Sequence, residues 1–263
     1  AKADLIARAV ATAPTQSPAQ TAELAALVSR YYRHVAPEDL VGRDPVDVLG
    51  AVMSHRRVAQ NRPQGTAVVH AFTPSVEGNG WSAGHSVVEI VTDDMPFLVD
   101  SVTAALQLQG RALHLVIHPQ LVVRRDVVGT LQEVVSVDDE EADVPEGAIV
   151  ESWMHVEIDR ETDEDDLRSI ERELDSVLRD VREAVEDWPR MMARASEVAN
   201  ELSSRPPVTV DPADTAESVD LLRWLVDEHF TFLGYREYVL SADGEQLEPV
   251  PGTGLGKIGR AHV

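Results

Sequence analysis

Between Glu89 and Gly110 the chain reads EIVTDDMPFLVDSVTAALQLQG. A β-like run ends in two aspartates, a Met-Pro step follows, and a helical pattern then runs to a glycine. Met95 precedes Pro96, and a residue before proline is pushed out of the α region. Pro96 suits the first position of a helix, where no amide hydrogen is needed. Leu98, Val102 and Leu106, with Val99 and Ala105 beside them, make an apolar face at helical spacing, and Gly110 supplies a stop. The stretch therefore predicts a strand that turns sharply into an amphipathic helix. Asp93, Asp94 and Asp100 fall near the positive end of that helix, where an exposed carboxylate contributes about 0.3–1 kcal/mol. Such a corner can be a catalytic site, a ligand-binding turn or a well-capped junction, and capping and packing explain it without chemistry.

The flanks extend the pattern. Upstream, TAVVHAFT (66–73) and HSVVEIVT (85–92) are β-rich runs separated by PSVEGNGWSAG, which predicts a long-looped hairpin. Downstream, ALHLVIHPQLVVRRDVV (112–128) reads as one long strand, and GTLQEVVSV (129–137) is placed to pair back on it. In AIVESWMHVEID (148–159), Val150, Met154, Val156 and Ile158 fall on one face and Glu151, Trp153, His155 and Glu157 on the other. That alternation predicts a sheet with one covered and one wetter face. From Thr162, with Asp165 as its capping partner, the period becomes helical. Leu167, Ile170, Leu174, Leu178, Val181, Val185 and Trp188 form one stripe, which Pro189 is expected to end. Met191 to Leu202 reads as a second helix, and DTAESVDLLRWLVDEHFTFLGYREYVL as a third entering an aromatic-rich strand, in a unit that reads as incomplete. Residues 1–62 read as helical, with Leu24, Leu27, Val28 and Tyr31 in register and Pro37 and Pro45 as punctuation.

Charge narrows the function. Against 23 basic residues stand 46 acidic ones, a net charge of −23, which repels phosphate backbones and anionic membranes. Nucleic-acid binding is therefore not expected. No run approaches the ~20 apolar residues of a membrane span, and no apolar signal core follows Lys2 and Arg8. With no cysteine in 263 residues, thiolate chemistry is excluded and a reducing, cytoplasmic setting is the expectation.

Local motif matches fail in context. GWSAG (80–84) places Ser82 like a nucleophile elbow, but a loop precedes it and a strand follows. GLGKIG (254–259) has the glycine spacing of a dinucleotide loop, without a following helix to bind pyrophosphate. His114 and His118 lie in a β-like run, where ~3.3 Å per residue sets them too far apart for one ion. The acidic run Asp138–Asp143 lacks the glycine-centred spacing of a calcium loop. No catalytic residue, metal site or bound cofactor is expected in the chain.

The order strand, helix, strand, strand, helix is most of a ferredoxin-like βαββαβ unit, an α+β fold with an antiparallel sheet and its helices on one face. VTDDMPFLVDSVTAALQLQG resembles the opening of an ACT domain, which runs strand, Asp-x-Pro-Gly-Leu-Leu, helix. Asp94, Pro96, Leu98 and Val99 match, and Phe97 stands where the family carries glycine. Taken with LLRWLVDEHFTFLGYREY (Leu221–Tyr238) and VPGTGLG (Val250–Gly256), the corner resembles the large NAD-specific glutamate dehydrogenases of bacteria over roughly Ser86–Gly256. The closing KIGRAHV departs from that pattern and reads as an appended tail.

The resemblance implies an N-terminal fragment with ACT-like regulation, whose parent oxidatively deaminates L-glutamate to 2-oxoglutarate with NAD. It implies a helical segment at 1–62, an ACT-like domain at 63–206 and the start of a further regulatory module at 207–263. The implied partners are the remainder of the parent enzyme, further copies in a homo-oligomer, and an amino-acid effector. The candidate effector site is Asp93, Asp94, Met95, Pro96, Phe97 and Leu98, expected to be weak or empty. The alternative is a structural oligomerisation module with no small ligand.

Overall fold

The structure, a computed structural model, describes residues 2–14, 17–135 and 143–259. Most of the acidic run at Asp138–Asp143 and the last four residues of the tail lie outside the described residues. The chain forms two compact units, Ala1–Leu178 and Arg179–Val263.

The first unit opens with α1 (Lys2–Ala11), α2 (Pro18–Tyr31), α3 (Pro37–Leu40) and α4 (Pro45–Val58). Prolines 18, 37 and 45 each stand at a helix start, where a missing N–H costs nothing. Ser17 and Gln20 form a reciprocal capping box on α2, and Asp44 accepts from the Val46 amide at 2.9 Å to cap α4. Then come β1 (Val68–Phe72), the single turn α5 (Val76–Asn79), β2 (Ser86–Asp93), α6 (Leu98–Leu108), β3 (Leu113–Ile117), β4 (Gln120–Arg125), β5 (Leu131–Val134), β6 (Ile149–Ile158) and α7 (Glu164–Ser204).

The sheet order is β1-β2-β6-β4-β5, with β3 also beside β6, and every pairing is antiparallel. Because β2 and β3 both run antiparallel to β6, they are parallel to each other, and α6 is their crossover. The expected βαββαβ order is therefore present only in part. The edge beside β2 is filled by β1, which arrives from upstream of the corner. The single strand expected over 112–128 is two. Pro119 offers no N–H to a ladder, so the chain breaks at His118-Pro119, and β3 and β4 pair with successive stretches of β6.

Helices cover both faces of the sheet rather than one. Val91, Leu115, Ile117, Leu121, Val123 and Trp153 form one core with Leu5, Val28, Tyr31, Leu40 and Val52 of the N-terminal helices. The face expected to be wetter is consequently dry: Glu151, Trp153, His155 and Glu157 are at most 1% exposed. Alternation revealed two faces, but not that residues 1–62 would cover the second. On the opposite face Val88, Ile90, Met154, Val156 and Ile158 are fully buried. That face is left to α6 and α7, whose Val102, Leu106, Ile170 and Leu174 are equally buried. Glu171 of α7 also closes the sheet edge, its Oε1 accepting the Ala71 amide at 2.9 Å.

Pro189 does not end its helix. α7 runs through it for 41 residues, so the two helices expected around Pro189 are one. An interior proline costs about 3 kcal/mol, but Met191, Ala195 and Ala199 beyond it are buried, and burial of one face outweighs local propensity. The second unit continues with α8 (Pro212–Trp224) and four short strands, β7 (Gly234–Tyr235), β8 (Tyr238–Leu240), β9 (Leu247–Pro249) and β10 (Leu255–Gly256). These pair as β7 with β10 and β8 with β9. Of the GLGKIG glycines, Gly254 precedes β10, Gly256 ends it and Gly259 lies in the turn that follows.

Candidate functional site

The corner between β2 and α6 is sharper than its sequence implies. Helix α6 begins at Leu98, and Phe97 is its N-cap at φ 70°, ψ 2°. Pro96 therefore lies in the turn and not at the first helical position. The left-handed conformation suits the glycine that an ACT turn carries; a bulky residue held there costs about 1–3 kcal/mol. Phe97 keeps the glycine geometry while adding a half-exposed ring, 37% accessible. At the far end Gly110, at φ 76°, closes a Schellman motif: its amide donates to Gln107 O at 2.9 Å and that of Arg111 to Leu106 O at 3.1 Å.

The aspartates do not cap α6, whose N-terminus has no side-chain cap. Both turn back into the sheet. Asp93 accepts from Arg62 Nη2 at 2.7 Å and from the Gly65 amide at 3.1 Å. Asp94 accepts from Ser152 Oγ at 2.6 Å and from Gln120 Nε2 at 2.8 Å. Ser152 in turn accepts from His118 Nε2 at 2.7 Å. Burial holds the His118 imidazole below its usual pKa, against the pull of Asp94, so it stays neutral near neutral pH. In this chain of groups Ser152 gives its proton to the Asp94 hydrogen bond and accepts one from His118, so the imidazole is not placed to act on it as a base. Met95 is half-buried and Leu98 fully buried. Of the six candidate residues, Asp93 and Asp94 are thus joined by hydrogen bonds to β6, β4 and the segment after α4, and Leu98 anchors the helix.

Behind Asp93 stands a buried ion cluster. Arg62 and Glu151 are both 0% exposed. Glu151 Oε1 accepts from Arg62 Nε and Nη2 at 3.0 and 2.7 Å and from Arg125 Nε at 2.5 Å. Its Oε2 accepts from Arg125 Nη2 at 2.9 Å and from Trp153 Nε1 at 3.0 Å. Burial pushes the Glu151 carboxyl up, but the guanidiniums of Arg125 and Arg62 outweigh it and hold it below the usual range. Gly129 permits the approach: at φ +91°, an added Cβ would stand 2.5 Å from Arg62 O. Sequence reasoning missed Arg62, Arg125 and Ser152, since their partners lie 26–89 residues away.

Residues singled out elsewhere are dispersed. The Ser82 amide donates to Asp47 at 2.8 Å in the loop before β2. His114 Nε2 meets Asp159 Oδ1 at 2.9 Å, so it and His118 serve different partners.

Residues 27–174 match the family model described as glutamate dehydrogenase, ACT1 domain. The NAD-specific glutamate dehydrogenase of Halomonas elongata is 37% identical over 239 residues, 90% of this chain and 15% of that protein. That of Pseudomonas aeruginosa is 33% identical over 220 residues, 83% of this chain and 13% of its own length. That of Mycobacterium tuberculosis is 30% identical over 197 residues, 73% and 12% respectively. The chain thus spans no more than 15% of the length of these relatives. No helix among the described residues is long and apolar enough to cross a membrane. With more than half of its length matched, the chain belongs to the glutamate dehydrogenase ACT1-domain family.

Proposed function

We propose that the chain is the N-terminal regulatory and assembly region of an NAD-dependent glutamate dehydrogenase, which oxidatively deaminates L-glutamate to 2-oxoglutarate. NAD and the catalytic residues belong to the rest of that enzyme. In this reading residues 1–62 are a helical segment, 63–206 the ACT-like domain and 207–263 the start of a further module. Its partners are the remainder of the polypeptide and other copies of it, in the cytoplasm.

Assembly is favoured over sensing by one observation: both corner carboxylates already hold intramolecular donors; Phe97 adds a half-exposed side chain at the turn where an ACT domain carries glycine. A second reading, an amino-acid effector, draws on the uncapped N-terminus of α6, whose free amides and dipole suit a carboxylate. The purified chain is expected to produce no NADH from glutamate and NAD. Glutamate-dependent NADH production, free of contaminating enzyme, would overturn the non-catalytic assignment.

A further inference from the structure

Between α4 and the middle of the sheet lies a polar layer that the corner does not use. Glu89 on β2 and its cross-strand partner His155 on β6 are both 0% exposed. One oxygen of Glu89 accepts from Ser54 Oγ at 3.1 Å. Its other oxygen has no hydrogen-bond partner; the ring nitrogens of His155 make no hydrogen bond either, although Nε2 lies 3.5 Å from Glu157 Oε1. The surrounding elements bring few donors. From α4 come Ser54, His55 and Arg57, and the field of Arg57 reaches Glu89. From the end of α2 come Tyr31 and the C-cap residue Tyr32; the Tyr31 hydroxyl donates to His55 Nδ1 at 2.8 Å, leaving His55 Nε2 to donate to Ile90 O at 3.1 Å. From β6 comes Glu157, which Arg43 grips through two bonds at 2.5 and 2.8 Å. From β1, His70 is opposite Glu89 in register but its ring lies 3.3 Å from Glu171.

We propose that this layer is a proton-operated latch: the N-terminal helices stay seated on the sheet while the Glu89 carboxyl is protonated, and its ionisation loosens them. A neutral carboxyl tolerates this site with one hydroxyl neighbour. A buried carboxylate needs several donors or a paired cation, and the layer offers Ser54 alone at hydrogen-bond distance. Burial pushes the Glu89 carboxyl up to about 8, with Ser54 and Arg57 pulling it back. Its neighbours do not follow. Burial, and then the neighbouring imidazole of His155, lower His55 to about 3, and Glu157, raised by burial but held by His155 and Arg43, lies at about 2. An acid raised in the folded state contributes stability that is fully present below its unfolded pKa and is lost as pH rises to the folded value. Loosening would expose the face carrying Val91, Leu121 and Trp153.

Amide hydrogen exchange on the 263-residue chain tests the latch. After correction for intrinsic exchange, opening of α1, α2 and α4 is expected to rise about tenfold per pH unit between about pH 6.5, below which proton uptake by His55 on opening offsets the Glu89 contribution, and the folded pKa of Glu89, and then to level off. Glu89→Gln, a mimic of the neutral acid, is expected to abolish the slope. Ser54→Ala, which removes the carboxylate's donor, is expected to move the plateau to higher pH. Opening independent of pH, a slope that survives in Glu89→Gln, or a plateau unmoved in Ser54→Ala would each overturn the proposal.

Discussion

At the scale of single residues, Phe97 is the point where sequence and geometry pull apart. Its neighbours Asp94, Pro96, Leu98 and Val99 keep the ACT pattern, and the backbone keeps the left-handed turn that glycine would adopt without cost. Replacing the ring by hydrogen removes that strain and offsets it with greater freedom in the unfolded chain. Phe97→Gly is accordingly expected to stabilise the protein by about 1 kcal/mol, read as a raised urea midpoint at unchanged slope. A loss of stability would mean that ring contacts, not strain, dominate at this position. The motif resemblance pointed to the position, but only coordinates reveal that phenylalanine accepts the glycine conformation.

At the scale of elements, Arg62 joins pieces that no local pattern connects. It leaves the segment after α4, donates to Glu151 on β6 and Asp93 on β2, and reaches Thr66 O at 2.9 Å. Removing one partner of a buried pair leaves the other charge uncompensated, at a cost of about 3–5 kcal/mol. Arg62→Ala is expected to lose that much in chemical denaturation, although Arg125 still holds Glu151; a loss below about 1 kcal/mol would show that water replaces the guanidinium. The same elements show what was legible. The β2–α6 corner and its glycine stop were readable because proline, the helical apolar face and glycine act on their immediate neighbours. The β1–β2 hairpin was readable too, from two β-rich runs around a loop of glycine, asparagine and serine; the insertion of β6 between β2 and β4 was not, because period and turn chemistry say nothing of which distant strands pair. The dry second face and the passage of α7 through Pro189 were missed for a related reason: both depend on burial against segments distant in sequence.

At the scale of the whole molecule, the acidic surface, the family match over residues 27–174 and relatives many times longer than this chain fit a module that works within a larger enzyme. Its candidate effector corner has donors and acceptors turned inward, with only the uncapped end of α6 facing a ligand. Isothermal calorimetry of the chain with glutamate, aspartate, leucine and the other common amino acids tests the assembly reading most directly. The account predicts no binding tighter than about millimolar, near −4 kcal/mol. Micromolar binding of an amino acid, abolished by Asp94→Ala or Phe97→Ala in a protein that remains folded, would contradict it and make the corner a working sensor.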